Sequence, residues 1–275
     1  KETIMTQPWT KELLGTSKPI IAMCHLNPMP SDPNYNPETG LKGVSEWARK
    51  DFLALQNGGV DAVLFSNEFS SPYMIEVEPV VLASMARVIG ELLSDIKIPF
   101  GVDVQIDPYR TLDLAAATGA AFVRETITGT LASDYGLRSL NPGKIIRYRN
   151  NNNQARNVKI LYTLVPEAAA HLGDRSLADI AKSTFFNHKP DALLISGVGP
   201  GLPTNDDTIK MVKETIPEAI VFANTGVNVD TVEKKLAIAD GAVVGTTFKV
   251  GGVFENHVDP ARVKEFMDKV KSFRE

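Results

Sequence analysis

Two short turns carry the residue types that hold an anion. Asn224-Thr225-Gly226 follows the apolar run Ile220–Ala223, and Gly245-Thr246-Thr247 follows Ala242–Val244. Glycine lets the backbone approach a ligand, and N–H groups with hydroxyls donate to a phosphate. A second set could move protons. His25, Asn67 and Glu68, Asp103 and Gln105, Arg124 and Glu125, and Glu167 each stand at or just past the end of another apolar run. A histidine beside a carboxylate suits general acid–base transfer. Asp103 interrupts FGVDVQI, where a buried carboxylate is costly unless a ligand, metal or cation meets it. A functional Asp103 is the favoured reading, and an ion pair with Arg124 that is purely structural is its rival. Adjacent residues in a strand point opposite ways, so only one of Arg124 and Glu125, and one of Asn67 and Glu68, can face a common site.

Other chemistries have less support. A lysine imine needs a lysine beside these groups. Lys159 stands near the start of its run, and Lys249 lies past the last one, where it could neutralise a phosphate. Asp103, Glu125, Glu167 and His25 could hold Mg²⁺ or Mn²⁺ between them, but no compact ligand motif specifies a metal and no cofactor is assigned. Walker A, G-x-S-x-G and kinase signatures are absent.

The apolar runs begin near Pro19, Val60, Pro99, Ala121, Val158, Ala192, Ile220 and Gly241. Their brevity and β-branched content predict buried strands. Helical spacing predicts helices over 44–57, 79–93, 108–118, 142–150, 177–186, 206–215, 228–239 and 259–273. Trp9–Leu14 reads as a short amphipathic helix placed to plug the bottom of a barrel, and 126–140 reads as a loop. Strict strand–helix alternation implies a parallel sheet, and eight such units in about 250 residues imply a closed (β/α)8 barrel. An open doubly wound sheet would carry a glycine fingerprint after its first strand, and none is there. The expected organisation is one α/β barrel domain, 1–275, with 1–18 as a helical extension.

In such a barrel the strand ends converge on one mouth, and the loops after strands seven and eight hold phosphate. The expected phosphate set is Ser196, Gly197, Asn224, Gly226, Gly245, Thr246 and Thr247. The expected catalytic set is His25, Asn67, Asp103, Arg124 and Glu125. His171, His188 and His257 read as structural or solvated.

Composition narrows the class. Of 275 residues, 43% are hydrophobic and 23% charged, which suits a globular chain. A net charge of −4 gives no broad basic surface for nucleic acid. A lone Cys24 rules out an internal disulfide framework and a cysteine metal cluster. No apolar run approaches the ~20 residues of a membrane span, and KETIMTQPWTKELLG lacks the apolar core of a signal peptide. A cytoplasmic location is the expectation that follows; the turns add a small phosphorylated ligand, and oligomerisation stays open, a homo-oligomer being an option because barrels of this size often self-associate.

The segments AMCHLNPMPSDP, ALQNGGVDAVLFSNEFSSPY, IPFGVDVQIDP, AAATGAAFVRE, VKILYTLVPEAA, DALLISGVGPG, ANTGVNVDTVE and DGAVVGTTFK resemble the BtpA/SgcQ family over nearly the whole chain. FSNEF and VPEAA give the nearest likeness to its SgcQ branch. The resemblance implies a TIM barrel of the phosphate-binding type, with no settled reaction. The SgcQ branch implies sugar utilisation, whereas the BtpA branch implies photosystem I biogenesis and membrane association. Gly101-Val102-Asp103-Val104 departs from the family's usual G-V-N-V, so a catalytic role is not carried over at Asp103. Val165-Pro166-Glu167 is less basic than in the photosystem branch, which weakens that role here. Two functions follow as expectations: an isomerase, epimerase or aldolase-type lyase acting on a phosphorylated sugar, or a non-catalytic assembly or regulatory factor.

Overall fold

The computed structural model describes residues 8–197 and 204–275. The Val198–Gly201 end of the DALLISGVGPG segment lies outside the described residues. Chain order runs α1 (Trp9–Leu14), β1 (Ile20–His25), α2 (Gly40–Gly58), β2 (Ala62–Ser66), α3 (Pro79–Leu92), β3 (Phe100–Asp103), α4 (Pro108–Thr118) and β4 (Phe122–Glu125). It continues through β5 (Gly129–Ser133), β6 (Gly136–Leu140), α5 (Pro142–Asn151), β7 (Lys159–Thr163), β8 (Ala169–His171), α6 (Leu177–His188) and β9 (Ala192–Ile195). Next come α7 (Asp206–Thr215), β10 (Val221–Ala223), α8 (Val232–Ile238), β11 (Gly241–Val244) and α9 (Pro260–Arg274).

Eight strands close a parallel barrel in the order β1-β2-β3-β4-β7-β9-β10-β11, with β11 returning to β1. Period-two alternation divides its side chains into two layers. Ile21, Met23, Ala62, Leu64, Phe122, Leu161, Leu194, Phe222 and Val243 fill the interior. Their alternates, such as Phe65, Val102 and Val123, pack outward under the helices. Leu14 joins the inner cluster, with Trp9 and Leu13 packed against it, and Trp9 Nε1 donates to Asp191 O at 2.8 Å. The first helix therefore stops the end of the barrel where the strands begin. Gly101 is dictated by close approach: a Cβ there would lie 2.3 Å from Phe122 Cε2. The interior is thus a packed core, and open space is left only above it.

The segment 126–140, expected as a loop, contains a hairpin. β5 pairs antiparallel with β6 and with β8, making a three-stranded sheet. Gly136, at φ +102, and Ser133 Oγ, which donates to Gly136 O at 2.8 Å, close the turn. Its signal is weak because β5 and β6 each bury one side chain, Leu131 and Arg138, which face each other in register. β8 ends at His171, whose Nε2 lies 3.0 Å from Leu164 O, a structural contact.

After β11 the chain makes two 3₁₀ turns, Thr246–Phe248 and Val250–Gly252. A bridge between Lys249 and Val258 then folds it into a loop carrying Phe254 and Glu255.

Candidate active site

The strand ends, the hairpin sheet and the loop after β11 enclose a cavity of about 770 Å³. That volume lies within the range of small-ligand pockets. Its floor is an ion-paired triad. Arg124, inward on β4, donates from Nε and Nη2 to Asp103 Oδ2 at 2.9 and 2.6 Å. The same Nη2 reaches Glu68 Oε1 at 2.6 Å. Neighbouring strands bring these groups together, because β2, β3 and β4 are consecutive in the barrel. Tyr73 Oη adds bonds to Glu68 O and Oε2 at 2.8 and 3.1 Å. The ion pair weighed as a rival role for Asp103 is therefore real, and both its partners also line the cavity. Among the described residues, Arg124 Nη1 meets only Met23 Sδ, at 3.7 Å, so one edge of the guanidinium keeps donors to offer.

Alternation decides the ambiguous neighbours. Glu125 turns toward α4, accepting from Thr111 Oγ1 at 2.7 Å, although its carboxyl still borders the cavity. Asn67 is corrected as a catalytic candidate. Its Oδ1 accepts from Gln105 N at 2.7 Å, which holds the β3 exit, and it does not line the cavity. Glu68 takes the place expected of it. His25 borders the cavity with its ring between Phe69 and Phe254, at centroid distances of 5.7 and 4.9 Å. Its Nδ1 is enclosed without a partner, and burial depresses its pKa to about 3. The imidazole is neutral near pH 7, so one ring nitrogen carries a proton to donate and the other can accept.

Three carboxyls move the other way. Desolvation raises Asp103 to about 6 against the pull of Arg124. Burial, with Asp103 next to it, lifts Glu125 well above the ordinary range. Glu167, which stood outside the expected catalytic set, lines the cavity and is raised to about 7 by burial and by Glu68. Glu68 goes down, because Arg124 and its hydrogen bonds outweigh burial. A carboxyl whose folded pKa is raised binds protons that the unfolded chain has released. Its stabilising contribution is complete below about pH 4 and is lost as pH rises through the folded value, here about 6 for Asp103 and about 7 for Glu167. We expect stability to fall between pH 4.5 and 7 from these groups, and Glu167→Gln to remove the upper part of that fall. Urea titrations at closely spaced pH values test it; a Glu167→Gln profile parallel to wild type would defeat the assignment.

The opposite wall comes from β9, β10 and β11. Ser196, Asn224, Gly226, Gly245, Thr246 and Thr247 all line the cavity. Gly226 sits at φ +63, and a Cβ at Gly245 would lie 3.2 Å from the His25 ring. Asn224 Nδ2 donates to Ser196 Oγ at 2.8 Å, and among the described residues its Oδ1 is enclosed without a partner. Gly197 is corrected: its N–H is committed to Thr225 Oγ1 at 2.6 Å and it does not line the cavity. Thr247 keeps its place but donates its hydroxyl to Val227 O at 2.6 Å. Lys249 is also corrected as a phosphate partner. It is wholly buried against Asp51, at 2.9 Å. The cation that does border this wall is Arg262 of α9, held by Nε donation to Thr247 O at 2.8 Å. Nothing in the α9 sequence distinguished Arg262 from a solvated helix residue.

Arg138 is a second residue that sequence reading noted only as part of a loop. It reaches the cavity from β6 and is 2% exposed. The divalent-ion set is not assembled: among the described residues no three of His, Cys, Asp and Glu come together to hold a metal. Asp103 faces Arg124 and Glu125 faces Thr111 instead. No described helix is long and apolar enough to cross a membrane.

A closed parallel barrel with helices outside and a polar cavity at the C-terminal strand ends defines a TIM-barrel protein. The chain belongs to the BtpA family, whose model matches residues 16–272. It is 53% identical to the sgc region protein SgcQ of Escherichia coli over 266 residues, covering 97% of this chain and 99% of that one. It is 28% identical to the photosystem I biogenesis protein BtpA of Synechocystis sp., covering 92% and 88%. Phosphoribosyl anthranilate isomerase from Thermus thermophilus shares the fold, with a TM-score of 0.56 at 12% identity over 93% of this chain and all of that one.

Proposed function

We propose that this protein is an enzyme of carbohydrate utilisation acting on a sugar phosphate by proton transfer, as an isomerase or epimerase. The observation that carries the reading is that one cavity joins two different apparatuses. On one side stand glycine and hydroxyl turns with Arg262, suited to a phosphate. On the other stands Glu167, with a pKa of about 7, matched to taking and returning a proton near neutrality. In this scheme Arg124 Nη1 polarises a ligand carbonyl and Glu167 removes the neighbouring C–H proton. Returning that proton to the former carbonyl carbon, while the hydroxyl proton of the neighbouring oxygen passes to the carbonyl oxygen, isomerises the sugar; epimerisation requires a second acid on the opposite face to protonate the original carbon. Asp103 and Glu68 hold Arg124 in place. Among the described residues no lysine lines the cavity, which favours proton transfer over an imine-forming aldolase.

Calorimetric titration with a panel of aldose and ketose phosphates tests the reading. Arg262→Ala is expected to weaken binding about 10- to 100-fold, the effect of losing a hydrogen bond to a charged group. Unchanged binding in Arg262→Ala and Asn224→Ala would remove the phosphate from this wall. The assembly-factor reading leans on the name of a 28%-identical relative. The cavity at the barrel mouth is not something that role requires.

A further inference from the structure

Among the described residues, Arg138 is the one buried cation at the mouth that the proposed reaction does not use. It is 2% exposed, and among the described residues its guanidinium makes one hydrogen bond, from Nη2 to Ile106 O at 3.1 Å. Its Nε is enclosed with no partner, and no ion pair to it is formed among the described residues. Arg124 makes the contrast clear, since two carboxylates hold it on the cavity floor. Three carboxyls act on Arg138 through space, Glu125, Asp103 and Asp107, but each is engaged elsewhere: Glu125 with Thr111, Asp103 with Arg124, and Asp107 with the Val77 and Arg110 amides. A buried charge without a counter-ion is expensive, by several kcal/mol in general. The hairpin nevertheless brings this side chain to the cavity, opposite Leu131 in register, through a sheet that adds nothing to the barrel itself.

We propose that Arg138 binds a second anionic group of the ligand, so that the substrate is a phosphorylated sugar bearing another anion, either a carboxylate or a second phosphate. The inference rests on the phosphate reading above: Arg262 takes one anion on the β11 side, and Arg138 takes the other beneath the hairpin sheet. An arginine fork suits either group, because both present paired oxygens.

The test is calorimetry with matched ligands: aldose 6-phosphates, the aldonate 6-phosphates that differ at C1, and the corresponding 1,6-bisphosphates. Each is titrated into wild type, Arg138→Gln and Arg262→Ala. At least one dianionic ligand is expected to bind wild type about 10- to 100-fold more tightly than its singly phosphorylated partner, with Arg138→Gln erasing that preference. Arg138→Gln should leave the affinity for the simple aldose phosphate within about threefold of wild type. If the carboxylate and the second phosphate both act, the proposal stands; if one does, the anion is identified. Binding of aldose phosphates with no preference for either dianion overturns this inference alone. No binding by any member overturns the phosphate reading and this inference with it. Thermal unfolding of Arg138→Met guards against a folding artefact: removing an unpaired charge should keep or raise the free protein's stability, whereas loss of several degrees would mark a structural strut.

Discussion

Arg124→Leu is expected to lower stability by about 3–5 kcal/mol at pH 7, the usual result of removing one partner from a buried ion pair. Asp103 is 3% exposed, and Glu68 reaches the same guanidinium nitrogen. Without Arg124 two enclosed carboxylates face each other, and neither has another cation in hydrogen-bond reach among the described residues. The sign of the pH dependence follows. Arg124 opposes burial in both carboxyls, so its removal raises both pKa values. Lowering the pH to 5 then protonates them and should recover part of the loss. Urea denaturation at pH 5 and pH 7 measures both, with Asp103→Asn in the Arg124→Leu background expected to recover part of it at pH 7 as well. A loss below about 1 kcal/mol, the range of exposed pairs, or one independent of pH, would show that the triad is effectively solvated. Ligand binding should disappear in the same variant, since Arg124 offers the cavity its free Nη1.

Lys249→Met should cost about as much, again about 3–5 kcal/mol, for a different reason. Asp51 of α2 and Lys249 are both 0% exposed. The same carboxylate accepts from Val258 N at 3.0 Å and bonds His257 Nδ1 at 2.7 Å, and His257 stacks on Trp47 with centroids 3.6 Å apart. One carboxylate therefore pins both ends of the loop from Lys249 to Val258 that carries Phe254 and Glu255 to the cavity. With methionine in place, Asp51 keeps its other contacts but loses its buried counter-charge. The expected signature is faster hydrogen exchange at the Val250 and Val258 amides, which bond His257 O and Asp51. Lys249→Arg should rescue only in part, because the bulkier planar guanidinium must replace a compact ammonium in a site with no solvent exposure. A methionine variant as stable as wild type, with unchanged exchange at both amides, would mean the loop is held by its turns alone.

Much of the barrel was legible before any coordinates. All eight strands begin within two residues of the positions read from apolar runs, and α4 and α7 match to the residue. The cause is that strand and helix signals are local: apolar period, glycine stops and proline starts lie within about a dozen residues. The 126–140 hairpin escaped because each strand buries only one side chain, and one of these is an arginine. With no apolar alternation, neither strand carries a pattern to detect. The site was legible as a place and less so as a list. Strand ends had to converge, so His25, Asp103, Arg124 and Glu125 fall beside one cavity with Ser196, Asn224, Gly226 and Gly245–Thr247.

Sequence alone thus determined the alternation, the closure it implies, and the mouth where polar strand ends meet, including the paired turns after β10 and β11. Tertiary structure decided which of these groups have anything left to offer a ligand. Lys249 looked free for a phosphate until Asp51, 198 residues away, claimed it. Asn67 and Gly197 proved committed to backbone and neighbour. Arg138 and Arg262, without local distinction, proved to border the cavity. The physical reason is that a side chain's availability is set by its partners across the barrel, and those partners come from register and packing, which act between residues far apart in the chain.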